Sequence, residues 1–393
     1  MPTVDAPATI GGGFHTDPRR TTPRRTTGHA VQLPAPDPAT WYAAPGPFVT
    51  CWLPALAANE DPAHRLRLEW RHAQAELVDP PEAALAAING LLASERAHQD
   101  RSSLMVFADA EGGLAGLHLA AQPDTGHGWV DALPRLGPAL MARQHVVPHI
   151  VVVADRAGAD IEVVDHDEAA EEHLDGDTTH LHRSHPGGWS QRRYQQRAEN
   201  TWERNAKGVA EEVDALREQV GARLVVVAGD PRAVGFLIDH ASDRLAAVLH
   251  HVEGAGRSDR EPFAEVSPEV HRLEETLVAG DLEAVLDRFV AGTANGGVAD
   301  GPERTLALLG QGRVADVLVH DDPTDERRAW FAPDARQAAT DPDTLTALGL
   351  TPVEGRLVDV TLWAAHTTGA HIHMLPAAIS NGPSGGIGGL LRG

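Results

Sequence analysis

The sequence predicts an α/β protein organised in three domains. Short apolar runs with strand character recur along the chain, among them His149–Ala154, Leu224–Ala228 and Val314–Val319. Helical patterns separate these runs, which is how layered sheets are built. A chain of 393 residues also exceeds what one core usually organises, at roughly 100–200 residues per domain.

Residues 1–45 are rich in Pro, Gly and Thr and carry the pairs Arg19-Arg20 and Arg24-Arg25. They predict a disordered basic tail. Order is expected to begin near Phe48, with an N-terminal α/β domain over 46–145. Phe48–Leu53 reads as a strand, 62–78 and 81–98 as helices, Ser103–Ala108 and Leu114–Leu119 as strands, and 135–144 as a short helix.

A middle domain is predicted over 146–257. His149–Ala154, Ile161–Val164 and Thr178–Arg183 predict an antiparallel meander. Tyr194, Ala198, Trp202, Ala206, Val209, Val213, Leu216 and Val220 then step by fours and threes. That is the apolar stripe of one long helix, with Ser190 as N-cap and Gly221 as stop. Leu224–Ala228 is a buried strand, Asp230 and Pro231 open a further helix, and a strand follows near residue 248.

A C-terminal α/β domain is predicted over 260–378. It has helices at 268–279, 282–291 and 304–309, a strand at 314–319, a helix at 358–367 and a closing strand at 370–375. Residues 379–393, with six glycines, read as a flexible tail.

Composition removes several function classes. Cys51 is the only cysteine, so no internal disulfide and no cysteine-based zinc cluster can form, which suits a reducing cytoplasm. No run of about 18 apolar residues exists to span a membrane. The amino terminus does not read as a signal peptide. The formal net charge of −23 opposes broad, unspecific nucleic-acid binding, and no DNA partner is expected.

Candidate motifs were weighed against ordinary structural roles. Ser190 lacks the second glycine of a nucleophile elbow and reads as a helix cap. The single lysine, Lys207, lies inside the long helix, so no Walker sequence exists. His180, His182 and His185 offer a metal-dependent hydrolase as one alternative, since alternate residues of a strand share a face; solvated histidines are the plainer reading.

The segment 183–207 stands out. Six positive residues (Arg183, Arg192, Arg193, Arg197, Arg204 and Lys207) face two negative ones, Glu199 and Glu203, in a strongly acidic chain. Gly187 and Gly188 let backbone approach a ligand. The helix N-terminus beyond them carries partial positive charge, and Trp189 supplies a stacking face. Such a set fits a specific phosphate contact; an ordinary solvated helix face is the alternative.

Pro186-Gly187-Gly188-Trp189-Ser190-Gln191-Arg192-Arg193-Tyr194, continuing into Ala198-Glu199-Asn200 and Asn205, resembles the actinobacterial branch of the bacterial archaeo-eukaryotic release factor family. Val227–Arg232 and Trp363–Ala370 fit the same resemblance, which covers nearly everything after about residue 46. Relatives of the ribosome hibernation factor Balon and Pelota-type homologues fall in that group.

The resemblance implies a three-domain release-factor-like architecture. The middle domain would hold a mixed sheet, a glycine loop and a long helix. The C-terminal α/β/α domain would be similar to kink-turn RNA-binding proteins. In release factors of this superfamily the loop reads Gly-Gly-Gln and positions water against the peptidyl-tRNA ester. Here Trp189 and Ser190 stand between Gly188 and Gln191, so the spacing is broken.

The resemblance therefore implies a cytoplasmic, stress-linked factor that binds the A site and peptidyl-transferase region of idle ribosomes without releasing peptide and without a cofactor. Gly187, Gly188, Trp189, Ser190, Gln191, Arg192, Arg193 and Arg197 would meet rRNA. Transfer RNA and the elongation factor that delivers aminoacyl-tRNA are further candidate partners. The alternative is a peptidyl-tRNA hydrolase or rescue factor in which Gln191 swings into the catalytic position.

Overall fold

The computed structural model describes residues 36–55, 62–93, 102–119, 123–165, 169–175, 189–257, 261–376, 379 and 381–393; at 62–63, 169 and 189–198 it describes the backbone alone. The described chain divides into two compact units. One is drawn from 146–277, the other from 36–145 together with 278–393.

The second unit opens with helix α1 (Pro38–Ala43), inside the segment expected to be a disordered tail. Pro38 occupies the first turn, where its missing N–H costs nothing, and the Asp37 carboxylate caps the Thr40 amide at 3.1 Å. Trp41 is buried, with its ring 5.9 Å from Phe48 and 6.0 Å from Phe107. One buried indole outweighs the ordering cost of this short segment.

Strand β1 (Phe48–Leu53) follows, then α2 (Pro62–Glu76), α3 (Glu82–Leu92), β2 (Ser103–Ala108), β3 (Leu114–Leu119), β4 (His127–Asp131) and α4 (Gly137–Gln144). The strands form an antiparallel sheet in the order β3-β2-β1-β4. Leu66, Trp70, Ala84 and Ile88 of α2 and α3 cover one face. Trp41, Leu136 and Ala139 cover the other. Both faces are buried, so β1 and β2 read as nearly unbroken apolar runs.

The first unit contains β5 (His149–Ala154), β6 (Gly158–Val164), β7 (Ala169–Asp175), α5 (Trp189–Val220), β8 (Leu224–Gly229), α6 (Pro231–Asp239), α7 (Asp243–Ala246) and β9 (Leu249–His251). Its sheet runs β7-β6-β5-β8-β9. β5, β6 and β7 are antiparallel, whereas β8 lies parallel to both β5 and β9. The meander thus has its third strand at 169–175. The expected strand at 178–183 lies outside the described residues.

Alternation assigns the two faces of this sheet. Ile150, Val152, Val225 and Val227 pack against Val209, Val213 and Leu216 of α5 and against Val234 and Leu237 of α6. Val151, Leu224, Val226 and Ala228 face the other way, onto Val266, Val270 and Leu273. These last three belong to α8 (Pro262–Asn295). Two helices with a break at Gly280-Asp281 were expected. The chain instead forms one helix, because nothing crowds Gly280 and apolar contacts on either side of it outweigh the roughly 1 kcal/mol a helical glycine costs.

The second unit resumes with the last turns of α8, then β10 (Val298–Asp300), α9 (Pro302–Gly310), β11 (Val314–His320), β12 (Arg328–Ala332), β13 (Gln337–Ala339), α10 (Pro342–Ala347), β14 (Val353–Arg356), α11 (Leu357–Thr368), β15 (His371–Leu375) and β16 (Ile387–Leu391). One sheet runs β10-β16-β11-β15 and a smaller one β13-β12-β14. In α11 residues 357–365 are all buried, as befits a helix that is apolar nearly all round. Gln144 of α4 accepts from the Met374 amide at 2.8 Å and donates to the Met374 carbonyl at 3.1 Å, satisfying the edge of β15.

β16 overturns the flexible-tail expectation. It lies between β10 and β11, with Ile387 and Leu390 buried. Its glycines are there because space is short: a Cβ on Gly388 would stand 2.8 Å from the Phe289 ring. Among the described residues, no helix is long and apolar enough to cross a membrane.

Candidate functional site

Helix α5 begins at Trp189, so Ser190, Gln191, Arg192, Arg193 and Arg197 all lie on its first three turns and Ser190 falls inside the helix rather than before it. Gly187 and Gly188 lie outside the described residues, as do His180, His182 and His185. The side chains of 189–198 are likewise outside them. What the structure does define is the platform from which this segment departs at Asp175 and to which it returns on α5.

The turn between β5 and β6 is the centre of that platform. The Asp155 carboxylate accepts from the amides of Ala157 at 2.7 Å and Gly158 at 2.9 Å, closing a side-chain turn on itself. Gly158 is required by close approach: a Cβ there would stand 1.9 Å from the Leu174 carbonyl of β7. Arg257 reaches in from beyond β9. Its Nη1 lies 3.4 Å from Asp155, its Nε donates to Asp160 at 2.8 Å and its Nη2 to Asp175 at 2.9 Å.

Arg257 is largely buried. Desolvation alone would lower its pKa, but hydrogen bonds to Asp160 and Asp175 and the nearby Asp155 charge raise it above the usual arginine value. It therefore stays a cation. Asp160 also pairs with His173 Nδ1 at 2.9 Å, so this histidine of β7 is held by a carboxylate.

On the opposite side of the turn, Arg156 lies over the Trp202 ring, 4.6 Å from its centroid. Its Nη2 pairs with Asp230 at 3.1 Å, and its carbonyl accepts from Asn205 Nδ2 at 3.1 Å. Asp230 caps α6 through the amides of Arg232 and Ala233, as the Asp-Pro signature predicts. Gly229, at φ +123° and with a would-be Cβ 2.0 Å from the Ala154 carbonyl, lets β8 turn into that cap beside β5. Arg232 pairs with Glu199 at 3.7 Å and His240 with Glu203 at 3.4 Å. The two acidic residues within the basic segment are thus engaged toward α6.

Sequence reasoning missed Arg156 and Arg257. The first stood in what read as a plain hairpin turn, the second in what read as a linker. The signals were slight: Arg156 stands two residues before Gly158, and Arg257 follows Gly256. Among the described residues, no group of three His, Cys, Asp or Glu is arranged to hold a metal ion; the expected histidine trio lies outside that set.

Residues 148–295 match the family model described as bacterial archaeo-eukaryotic release factor family 2. Over this span the chain is similar to that family. The match runs from the start of β5 to the end of α8 and so takes in the whole platform. No curated protein matches the chain.

Among solved structures, the chain is similar to archaeal Pelota in a ribosome-bound complex with ABCE1, with 14% identity, a TM-score of 0.41, and coverage of 92% of this chain and 96% of that one. It is also similar to Dom34 of Saccharomyces cerevisiae, a translation termination-like factor, with 8% identity, a TM-score of 0.39, and coverage of 95% and 97%. Pelota of Archaeoglobus fulgidus gives 15% identity, a TM-score of 0.33, and coverage of 75% and 80%. The likeness to the family rests on the match over 148–295.

Proposed function

We propose that this release factor-like protein associates with the ribosome and occupies the A site and peptidyl-transferase region of idle particles without releasing peptide. The tip formed by Gly187, Gly188, Trp189, Ser190, Gln191, Arg192, Arg193 and Arg197 makes the contact. The observation that carries this reading is the family match over 148–295, which encloses the basic segment 183–207 of an acidic chain. Arg192, Arg193 and Arg197 neutralise rRNA phosphates, helped by the N-terminal partial charge of α5. The acidic remainder disfavours binding elsewhere on RNA.

The broken spacing supports occupancy over catalysis. Gln191 lies on a helical turn of α5, three residues beyond Gly188. A glutamine held by helix backbone lacks the freedom of a glycine-flanked loop residue. In this reading the protein serves ribosome hibernation in the cytoplasm under stress, and the elongation factor that delivers aminoacyl-tRNA is an associating partner.

Sedimentation of purified protein with vacant ribosomes tests the reading. Co-pelleting at low salt is expected, and release of labelled peptide from stalled ribosomes should equal background for both wild type and Gln191→Ala. Protein that remains wholly in the light fractions overturns association. Release that depends on Gln191 overturns the occupancy reading in favour of hydrolysis.

A further inference from the structure

We propose that the β5–β6 turn, Asp155–Gly158, is the positioning element of the tip. It fixes both ends of the segment through two arginines, Arg257 on the departing side and Arg156 on the returning side. The consequence for binding rests on the ribosome-association reading; the clamp itself rests on geometry.

The departing end is the C-terminus of β7. Asp175 is its last residue and pairs across the sheet with Gly158. Asp155, Asp160 and Asp175 converge here, and three carboxylates would repel one another without a shared cation. Arg257 is that cation and contacts all three. Asp175 is 69% exposed at its side chain, so its bond to Arg257 contributes little to global stability. Its evident effect is local, in holding the strand end against the turn.

The returning end is the described part of α5. Arg156 grips it twice, by stacking on Trp202 and by accepting the Asn205 side-chain hydrogen bond. Asp230 fixes the other side of the guanidinium. Below this point α5 is buried along Ala206, Val209, Ala210 and Val213, so the helix is a rigid rod. At 1.5 Å per residue, a small tilt at Trp202 moves a residue three turns away by several ångströms. Two adjacent turn residues thus set where the strand ends and where the helix points.

Asp175→Ala separates this account from simple electrostatics, because the two predict opposite signs. Removing an acidic charge beside an RNA-binding tip should strengthen binding if charge alone matters. Loss of a clamp should weaken it. We expect Asp175→Ala to melt within about 2 °C of wild type, to bind ribosomes about threefold or more weakly with an unchanged salt slope, and to be rescued by Asp175→Glu.

In the free protein, trypsin should cut after Arg183 faster in Asp175→Ala than in wild type. If wild type fails to pellet while cleavage is still accelerated, the ribosome reading falls and the clamp stands. If wild type pellets and Asp175→Ala binds as well or better with unaltered cleavage, the clamp is overturned.

Discussion

The Arg135 guanidinium meets the Glu326 carboxylate at 3.2 Å, although 191 residues of chain separate them. Arg135 also donates to Asp131 at 3.2 Å and lies 4.5 Å over the Trp129 ring. Asp131 in turn receives Arg328 at 3.3 Å, and Arg328 bonds Glu354 at 2.8 Å. A charged network thus joins the sheet of β1–β4 to the β13-β12-β14 sheet, within the unit formed by 36–145 and 278–393.

Arg135→Ala leaves Asp131 with Arg328 still at 3.3 Å but without its i,i+4 partner. The loss therefore falls below the roughly 3–5 kcal/mol of a wholly broken buried pair, at about 2 kcal/mol. Urea denaturation followed by hydrogen exchange is the check. Amides of β1 and β11 should exchange faster while those of β5 and β8 keep their rates. Equal acceleration in all four strands would contradict the network's confinement to one unit.

A second prediction concerns His149, whose Nδ1 lies 3.0 Å from Glu274 of α8 and 2.9 Å from the Val147 carbonyl. Burial would lower the His149 pKa, but these partners and the Glu162 charge outweigh it and raise it above 6.5. Glu274 is pushed up by burial, yet hydrogen bonds from His149 and His271 bring it below 4.5. Glu162 is raised by burial and by Glu171, against the pull of His149. A raised histidine contributes stability fully below its unfolded pKa and loses it as pH climbs through the folded value. A lowered glutamate contributes above its unfolded pKa and loses it as pH falls. The contact is therefore strongest between about pH 4.5 and 6.5. His149→Gln should abolish the fall in stability above that window, measured by thermal melts from pH 4 to 9; a parallel fall in the variant would refute it.

Asp359 gives a third. It is fully buried beside Arg356, at 3.5 Å, and its Oδ2 has no partner among the described residues. Desolvation dominates the Arg356 attraction, and Asp321 and Asp131 add to it, so its pKa rises to about 8. A carboxyl raised in the fold loses its contribution to stability as pH climbs from the unfolded value near 3.8 toward 8. Asp359→Asn keeps the shape without the charge. It should lie within about 1 kcal/mol of wild type at pH 5 and exceed wild type at pH 8.5. Identical pH profiles for the two proteins would remove this account.

How much of this was legible in the sequence depends on what kind of signal each element carried. Strands β1, β2, β3 and β5 match their apolar runs residue for residue, because strands buried on both faces leave continuous hydrophobic text. Helix α5 ends at Val220, just before the expected stop at Gly221, and begins two residues earlier than an N-cap at Ser190 would place it, since its apolar stripe persists over many turns. β12, β13 and β14 were missed: they are short, and Arg328, Glu354 and Arg356 interrupt their apolar character for the sake of the ion network. α1 and β16 were misread because Pro and Gly were taken as signs of disorder. Pro38 is instead a helix start, and Gly388 is a close approach. The basic segment was visible from composition, but its platform was not. Arg156 and Arg257 acquire meaning only when β5, β6, β7 and α5 are brought together.

The tip arginines make a fourth prediction. Arg192→Glu with Arg193→Glu should weaken ribosome binding at least tenfold and flatten its salt dependence, as two phosphate contacts release fewer counterions. Thermal stability should stay within about 2 °C. Filter binding across a salt series is the measurement. A lower affinity with an unchanged slope would assign these arginines to positioning rather than phosphate contact.

The last prediction follows from β16. Val298, Ala299 and Asp300 of β10 pair with Leu390, Gly389 and Gly388, and β11 pairs with the same strand on its other side. Removing residues 387–393 therefore takes out an interior strand, exposes two sheet edges and uncovers Phe289 and Leu318. The loss exceeds what a domain with roughly 5–15 kcal/mol of stability tolerates, so a chain ending at Gly386 should lose the cooperative transition of this unit. Gly388→Val is the finer probe, since it keeps the strand but drives a side chain into Phe289. It should cost about 1–3 kcal/mol through overpacking. Denaturation of both variants against wild type is the check, and a truncated chain that melts like the full one would show that β16 is dispensable.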